Sequence, residues 1–260
     1  MKCSICNIET DFVKLDLMKC KNCGHLFSKN IYDSSYWEKL YEHNYTHEER
    51  KFDIIRNVMY AYDAAWIFSY KKFQGKFLDV GCSYGNFFTF LPSEIKKIGI
   101  EISTNVINDA KKFHPNCNFY KTDIQNFDTD EKFDFIQFRG VLQHSTNPLG
   151  DLKQAKKLLN KNGIILILSL PDFSSFTSFI YKKQFKFYLP DSAPNHFTNK
   201  SFNFLIKSLD LEIVKKDSPY LKTPYSHMFK DFSHFISNKF YNKTNPPFFG
   251  NIKSYILKIK

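Results

Sequence analysis

Between Lys76 and Leu170 short apolar runs alternate with segments whose apolar residues recur every three or four positions, and this alternation leaves few architectures open. Phe77-Leu78-Asp79-Val80, Ile98-Gly99-Ile100-Glu101, Phe119-Tyr120, Phe135-Ile136-Gln137-Phe138 and Ile164 to Leu170 read as strands. The last is almost unbroken, as expected where both faces of a strand are covered. Helices are predicted between them: from about Asn86 to Leu91, after Ser103 with Val106, Ile107, Ala110 and Phe113 inward, and from Pro148 with Leu149, Leu152, Ala155, Leu158 and Leu159 inward, ending at Asn162-Gly163. Strand–helix repetition of this kind builds a parallel sheet with helices on both sides. A further helix after Thr198 (Phe202, Leu205, Ile206, Leu209) precedes two more strands, Leu211 to Val214 and Tyr255 to Ile259, read as an antiparallel pair. The expectation is a Rossmann-like, seven-stranded α/β sheet over residues 73–260 whose last strand runs antiparallel, with irregular, aromatic-rich 218–250 as an insertion.

Residues 1–30 carry a different signal. Cys3-Ser4-Ile5-Cys6 and Cys20-Lys21-Asn22-Cys23 are two C-x-x-C pairs thirteen residues apart, close to the spacing of four-cysteine zinc ribbons. Two intervening residues let a tight turn aim both sulfurs at one ion, and Gly24 suits the left-handed end of such a turn. Four thiolates close the coordination shell, so the expected zinc ion is structural. His25 is then left beside the ligands or facing solvent. Residues 31–72 form a helical bridge, with Tyr36, Trp37, Leu40 and Tyr41, then Ile54, Ile55, Val58, Met59 and Tyr62 at helix-like intervals; Tyr41 and Tyr45 either pack or close over a ligand.

The 260-residue chain shows no apolar run of about 20 residues and no signal-peptide core, which predicts a cytoplasmic protein without a membrane span. In that compartment six cysteines do not read as a disulfide framework. A formal charge of +11 suits an anionic partner, although lysine is spread along the chain and a compositional bias explains the excess equally well.

Ligands of open parallel sheets bind beyond the carboxyl ends of the strands. Asp79, Glu101 and Asp123 fall at three such ends, and Gly81 and Gly85 form a turn that lets bare backbone approach a ligand. A dinucleotide fingerprint would need glycine where Ser83 and Asn86 stand, which argues against NAD. The stretch Leu78-Asp79-Val80-Gly81-Cys82-Ser83-Tyr84-Gly85 resembles the first motif of class I S-adenosylmethionine-dependent methyltransferases, with serine at a place often held by glycine. Glu101-Ile102 resembles that family's ribose-binding acid and its neighbour, and Asp123-Ile124 its adenine-facing pair. The resemblance covers roughly residues 75–215 and implies S-adenosylmethionine as cofactor, held by Asp79, Gly81, Cys82, Ser83, Gly85, Glu101, Ile102, Asp123, Ile124 and Arg139.

Phe133-Asp134 through Leu142-Gln143-His144 to Pro148 resembles a further stretch of the same family and makes His144 the first candidate general base; pinning the loop is its alternative role. His196, in Asn195-His196-Phe197, resembles a second family histidine and is the other candidate, with packing as its alternative. Related ubiquinone-pathway enzymes carry glutamates where this chain has Gly140 and Gln143, so the resemblance implies methyl transfer without a catalytic metal. Residues 171–198, rich in phenylalanine, tyrosine and lysine, stand where the family places a substrate cap. The expected acceptor is a small molecule, anionic or sugar-containing, with polysaccharide biosynthesis as the setting in which zinc-ribbon relatives occur. An RNA methyltransferase using ribbon and basic surface is the second reading, and a non-catalytic binding module the third.

Overall fold

The computed structural model describes residues 1–29, 36, 39, 53–245 and 247–260. Three short strands open the chain: β1 (Val13–Lys14), β2 (Leu17–Lys19) and β3 (Leu26–Phe27). Helix α1 (Asp53–Phe68) leads into β4 (Lys76–Val80), β5 (Lys96–Glu101), α2 (Thr104–Phe113), β6 (Asn118–Lys121), β7 (Phe133–Arg139), α3 (Pro148–Leu158) and β8 (Leu159–Pro171). Then follow α4 (Phe176–Tyr181), β9 (Asn195–His196), α5 (Asn199–Ser208), β10 (Leu211–Asp217), α6 (Met228–Phe240) and β11 (Ile252–Ile259). The stripe of Trp37, Leu40 and Tyr41, together with Tyr45, lies outside the described residues.

The large sheet has seven strands in the order β10-β11-β8-β7-β4-β5-β6. Its four pairings from β8 to β6 are parallel, and β11 runs antiparallel to both β8 and β10. The expected sheet and its reversed last strand are therefore observed. Alternation along the strands sorts the core into two layers. On one face Leu78, Ile98, Ile136 and Ile165 meet Leu152 and Ala155 of α3 and Phe202 and Leu205 of α5. On the other, Phe77, Phe135, Ile164 and Leu166 meet Ile67 of α1, Phe87 and Phe88, and Ile107 of α2.

Local chemistry sets the helix starts. Ser103 Oγ accepts from the Val106 N–H, Asn147 Oδ1 accepts from the Gly150 N–H ahead of Pro148, and Thr198 and Ser201 form a reciprocal capping box. Four details depart from expectation. Residues Asn86–Phe90 form a 3-10 helix, a single tight piece between the glycine turn and Leu91. Helix α3 stops at Leu158, and Leu159 already pairs with Phe133; Asn162-Gly163 lies in an irregularity of β8, where a side chain at Gly163 would come within 2.8 Å of the Phe133 carbonyl. Phe113 has the right rotation but closes α2 at its end, exposed beside Tyr84. In α1 the inward face is Asp63, Ala64 and Ile67, while Ile55 and Val58 are exposed. That face includes an acid satisfied by distant partners, which a purely apolar periodicity passes over.

The N-terminal module is more than an appendage. Strand β9, contributed from far along the chain, completes a second sheet in the order β1-β2-β3-β9, with Leu26 opposite His196 and Phe27 opposite Asn195. Its apolar residues Ile5, Met18 and Phe27 join the layer that contains Phe197 and Phe202. Leu166 is fully buried in β8 with helices over it. Leu166→Ala should lower unfolding stability by about 2–5 kcal/mol, read from the urea midpoint at unchanged slope.

Candidate active site and metal cluster

Asp79 and Gln137 occupy equivalent positions on neighbouring strands, paired in register, and both are buried. Gln137 Nε2 donates to Asp79 Oδ1 at 2.9 Å, while Gln137 Oε1 is buried without a partner among the described residues. Burial pushes the Asp79 carboxyl up to about 7, against the pull of the Gln137 hydrogen bond and the Arg139 charge; the Glu101 charge adds to the rise. A carboxyl left this dry lacks a cationic or hydroxyl partner.

Past Asp79 the chain turns through left-handed backbone at Gly81 (φ 67°), Ser83 (φ 51°) and Gly85 (φ 74°). A side chain on Gly81 would come within 2.6 Å of Val141 Cγ2, so the cradle is closed to any larger residue. Glu101, at the tip of β5, holds this turn from the side: it accepts from the Ser83 N–H at 3.2 Å, the Ile102 N–H at 2.8 Å and the Ser103 N–H at 3.3 Å. Burial raises its pKa despite these bonds. Three donors leave one of the roughly four acceptor positions of a carboxylate open. Cys82 lies buried between the turn and Gly99, whose missing side chain would otherwise sit 2.6 Å from the Cys82 sulfur.

Asp123 follows β6 at the same edge of the sheet, but its carboxylate is exposed and accepts from the backbone N–H of Asn126 at 2.9 Å and from Asn126 Nδ2 at 2.8 Å; Ile124 beside it is buried. The structure thus brings Asp79, Glu101 and the glycine turn together and sets Asp123 in its own turn at the neighbouring strand end.

Arg139, at the end of β7, donates through Nε to Asp63 Oδ2 at 2.9 Å, through its terminal nitrogen to Tyr220 Oη at 3.2 Å, and lies 4.3 Å over the Tyr60 ring. Tyr220 Oη also donates to Asp63 and meets Ser169 Oγ at 2.7 Å. Sequence pattern alone does not single out Asp63, Tyr220 or Gln137. The legible signal was polarity on faces that should be apolar: Gln137 interrupts a strand covered on both sides, and Asp63 sits on the inner face of α1.

His144 closes a 3-10 turn, Leu142–His144, just after β7. Its Nδ1 lies 2.5 Å from the Ser192 carbonyl oxygen. A carbonyl only accepts, so Nδ1 carries the proton and Nε2 the lone pair of the neutral ring. Burial holds the pKa below its ordinary value and the ring neutral near pH 7. His196 is more deeply enclosed, edge-on to Phe173 with ring centres 4.5 Å apart and next to Tyr188; burial, with the neighbouring His25, drives its pKa down to about 3.

The four cysteine sulfurs of Cys3, Cys6, Cys20 and Cys23 lie within 4.8 Å of one another, with Cys3 and Cys23 at 3.5 Å and Cys6 and Cys20 at 3.4 Å. Tetrahedral coordination at about 2.3 Å needs sulfurs about 3.8 Å apart, so the donor set fits zinc. Each pair ends in a left-handed residue, Asn7 (φ 59°) and Gly24 (φ 75°), and each turn is closed by a hydrogen bond to the carbonyl of Cys3 or Cys20. His25 is fully buried, not facing solvent: Nε2 meets Asn195 Oδ1 at 3.1 Å and the ring packs on Phe197. Asn195, which no local sequence pattern marks, also accepts from Ser4 Oγ at 3.1 Å and donates to the Ser145 carbonyl at 2.5 Å. One side chain therefore ties both cysteine turns to the residue after His144.

Residues 71–185 match the family model described as a methyltransferase domain. The uncharacterized protein MJ1123 of Methanocaldococcus jannaschii is 30% identical over 152 residues, covering 57% of this chain and 70% of that protein. A S-adenosylmethionine-dependent methyltransferase of Thermotoga maritima, named a possible histamine N-methyltransferase, superposes with a TM-score of 0.58 at 18% identity over 85% of this chain and 98% of its own. The plantazolicin methyltransferase BpumL in complex with S-adenosylhomocysteine gives 0.57 at 19% identity, over 87% and 96%. These structural likenesses show a shared fold.

Two outcomes follow from the geometry. Asp79 titrates near 7 in the folded cofactor-free protein but near 3.8 when unfolded, so the folded state keeps a proton that the unfolded state releases. Its contribution to stability is full below about pH 4 and is lost as pH rises toward 7; Asp79→Asn should flatten that fall in melting temperature measured from pH 4 to 8. Removing metal with a chelator should raise amide exchange at Leu26, Phe27, Asn195 and His196 by at least about tenfold while β4 and β7 stay protected, and metal analysis beforehand should find about one zinc per chain.

Proposed function

We propose that this chain, which carries the methyltransferase domain matched over residues 71–185, acts as a class I S-adenosylmethionine-dependent enzyme and transfers the methyl group to an oxygen of a small acceptor, anionic or sugar-containing, such as a phosphorylated or nucleotide-linked saccharide. The observation that carries this reading is the neutral, tautomer-fixed His144 at the same end of the sheet as Asp79 and the glycine turn. Methylation of a hydroxyl needs a proton acceptor and in-line positioning more than any other protein contribution.

S-adenosylmethionine, when bound, supplies a methyl group activated by a positively charged sulfur. The residues present fit it. Gly81 and Gly85 provide the backbone cradle, the open acceptor position of Glu101 suits the ribose hydroxyls, and Asp79 with the unpartnered Gln137 Oε1 suits the ammonium end. Asp123 and Ile124 would face the adenine, with Asp123 turning from Asn126. Cys82, Ser83 and Ile102 line the cradle, and Arg139 favours the charged form of Asp79. His144 Nε2 would take the acceptor proton. His196, desolvated and walled by aromatic rings, would pack behind it. Positions 140 and 143 carry no carboxylate, and Gln143 is used in donating to the Gly140 carbonyl, which supports a catalytic step without metal. The four cysteines would hold one structural zinc ion.

A second reading, an RNA methyltransferase, is favoured by one feature. A groove of about 440 Å³ between the cysteine module and the start of α5 is lined by Lys14, Lys19, Lys21 and Lys200, with Phe12 and Phe173. Cations interleaved with rings suit a nucleotide strand.

Glu101→Gln should weaken S-adenosylmethionine binding on the order of 10- to 100-fold by calorimetry. His144→Ala should leave that affinity within about threefold and cut turnover by about 10²–10⁴; unchanged turnover would remove His144 as the base. RNA affinity that falls steeply between two salt concentrations, with turnover on RNA, would decide for the second reading.

A further inference from the structure

Helix α6 is inside out. Phe229, Phe232, Ile236 and Phe240, spaced three and four residues apart on one face, are 90%, 55%, 56% and 81% exposed. The helix is nonetheless firmly seated by its other face. Asp231 accepts from Ser226 Oγ at 2.8 Å and from the His227 N–H at 2.7 Å. Phe235 is buried edge-on to Tyr181 with centres 4.9 Å apart, and its carbonyl accepts from Tyr181 Oη at 2.5 Å. The outward stripe is therefore the face left over when the helix docks by Asp231 and Phe235. Next to it, α4 shows Phe176 and Phe179 at 65% and 75% exposure, and Phe176 stacks on Phe235 at 6.0 Å. Two elements from distant parts of the chain thus present one apolar face. Isolated exposed rings are ordinary, whereas six large exposed side chains on two helices that touch through Phe176 and Phe235 mark an interaction surface.

The surroundings of the face are cationic. Residues 173–193 and 228–249 contain Lys182, Lys183, Lys186, Lys230, Lys239 and Lys243 against Asp191 and Asp231; Asp231 is turned inward, and Lys183 is paired with Asp16. No helix among the described residues is long and apolar enough to cross a membrane. A stripe of phenylalanines bordered by lysines is the arrangement that lies flat in a membrane interface, its rings among acyl chains and its ammonium groups at anionic headgroups. A second copy fits less well, because pairing this face about a two-fold axis would set more lysines against lysines than the nearby carboxylates could answer.

We infer that the face formed by α6 and α4 docks onto the surface of an anionic lipid bilayer. The inference does not rest on the identity of the methyl acceptor, and its test needs no turnover. The full chain would be floated with vesicles of phosphatidylcholine alone and of phosphatidylcholine mixed with phosphatidylglycerol. It should float with the anionic vesicles, and Phe229→Ser/Phe232→Ser/Phe240→Ser should weaken binding by at least about tenfold while keeping its melting temperature and S-adenosylmethionine affinity. Phe232→Trp supplies an independent readout: its emission should shift to the blue on anionic vesicles and be quenched by lipids brominated in the acyl chain. Absence of flotation would overturn the inference, as would flotation that the triple variant leaves intact. A dimer in analytical ultracentrifugation that the triple variant dissociates, without vesicle binding by the parent, would assign the face to a second copy instead.

Discussion

The carboxylate of Glu101 is the joint on which the candidate site depends. It sits at the tip of β5 yet receives backbone N–H groups from both sides, Ser83 in the turn after β4 and Ile102 and Ser103 at the start of α2. Neighbouring parallel strands share no covalent link at their tips, so without such a tie the left-handed turn through Gly81, Ser83 and Gly85 would be free to open. Charge-assisted bonds to a dry carboxylate are among the stronger ties available. The cost is a desolvated acid beside Asp79, itself desolvated. Two buried carboxyl groups kept close form a local deficit of positive charge, which a cationic ligand with hydroxyl groups can relieve.

Much of this was legible in the sequence because it is local. The strand alternation, the positions of Asp79 and Glu101 at strand ends, and the caps Ser103, Asn147 and Thr198 all follow from short-range patterns. The paired cysteines are equally local, since a two-residue turn fixes the geometry of each pair. Departures arise where a residue answers to something distant. Asp63 is inward because Arg139 and Tyr220 meet it there, and Gly163 belongs to an irregular strand because the Phe133 carbonyl crowds it. His25 is buried because Asn195, 170 positions away, takes its ring nitrogen. Helix α6 lacks readable logic on its own, as its periodicity is amphipathic but its apolar stripe faces away from the core.

The third cluster of buried rings, Tyr181, Phe185 and Phe235 with Phe173 and Tyr188 packed on it, links these outer parts. Through Phe173 it touches His196, and through Tyr188, whose hydroxyl donates to the Leu15 carbonyl at 2.5 Å, it touches the cysteine module. The residues expected to cap the acceptor are thus held from behind by their own small core, which makes the candidate base region part of a rigid shelf.

Strand β9 has a consequence for how the chain comes to be folded. The first strands of the small sheet emerge from a ribosome well before Asn195 and His196, so that sheet has an unfilled edge while most of the larger domain is still being made. Closing a loop of this length costs entropy that local contacts must first offset. The cluster of sulfurs is close enough in sequence to organise early, and it would hold the half-built module in shape until its missing strand arrives. Order of synthesis and order of assembly are thereby uncoupled: strands made early wait for a partner made about 170 positions later before their sheet is finished.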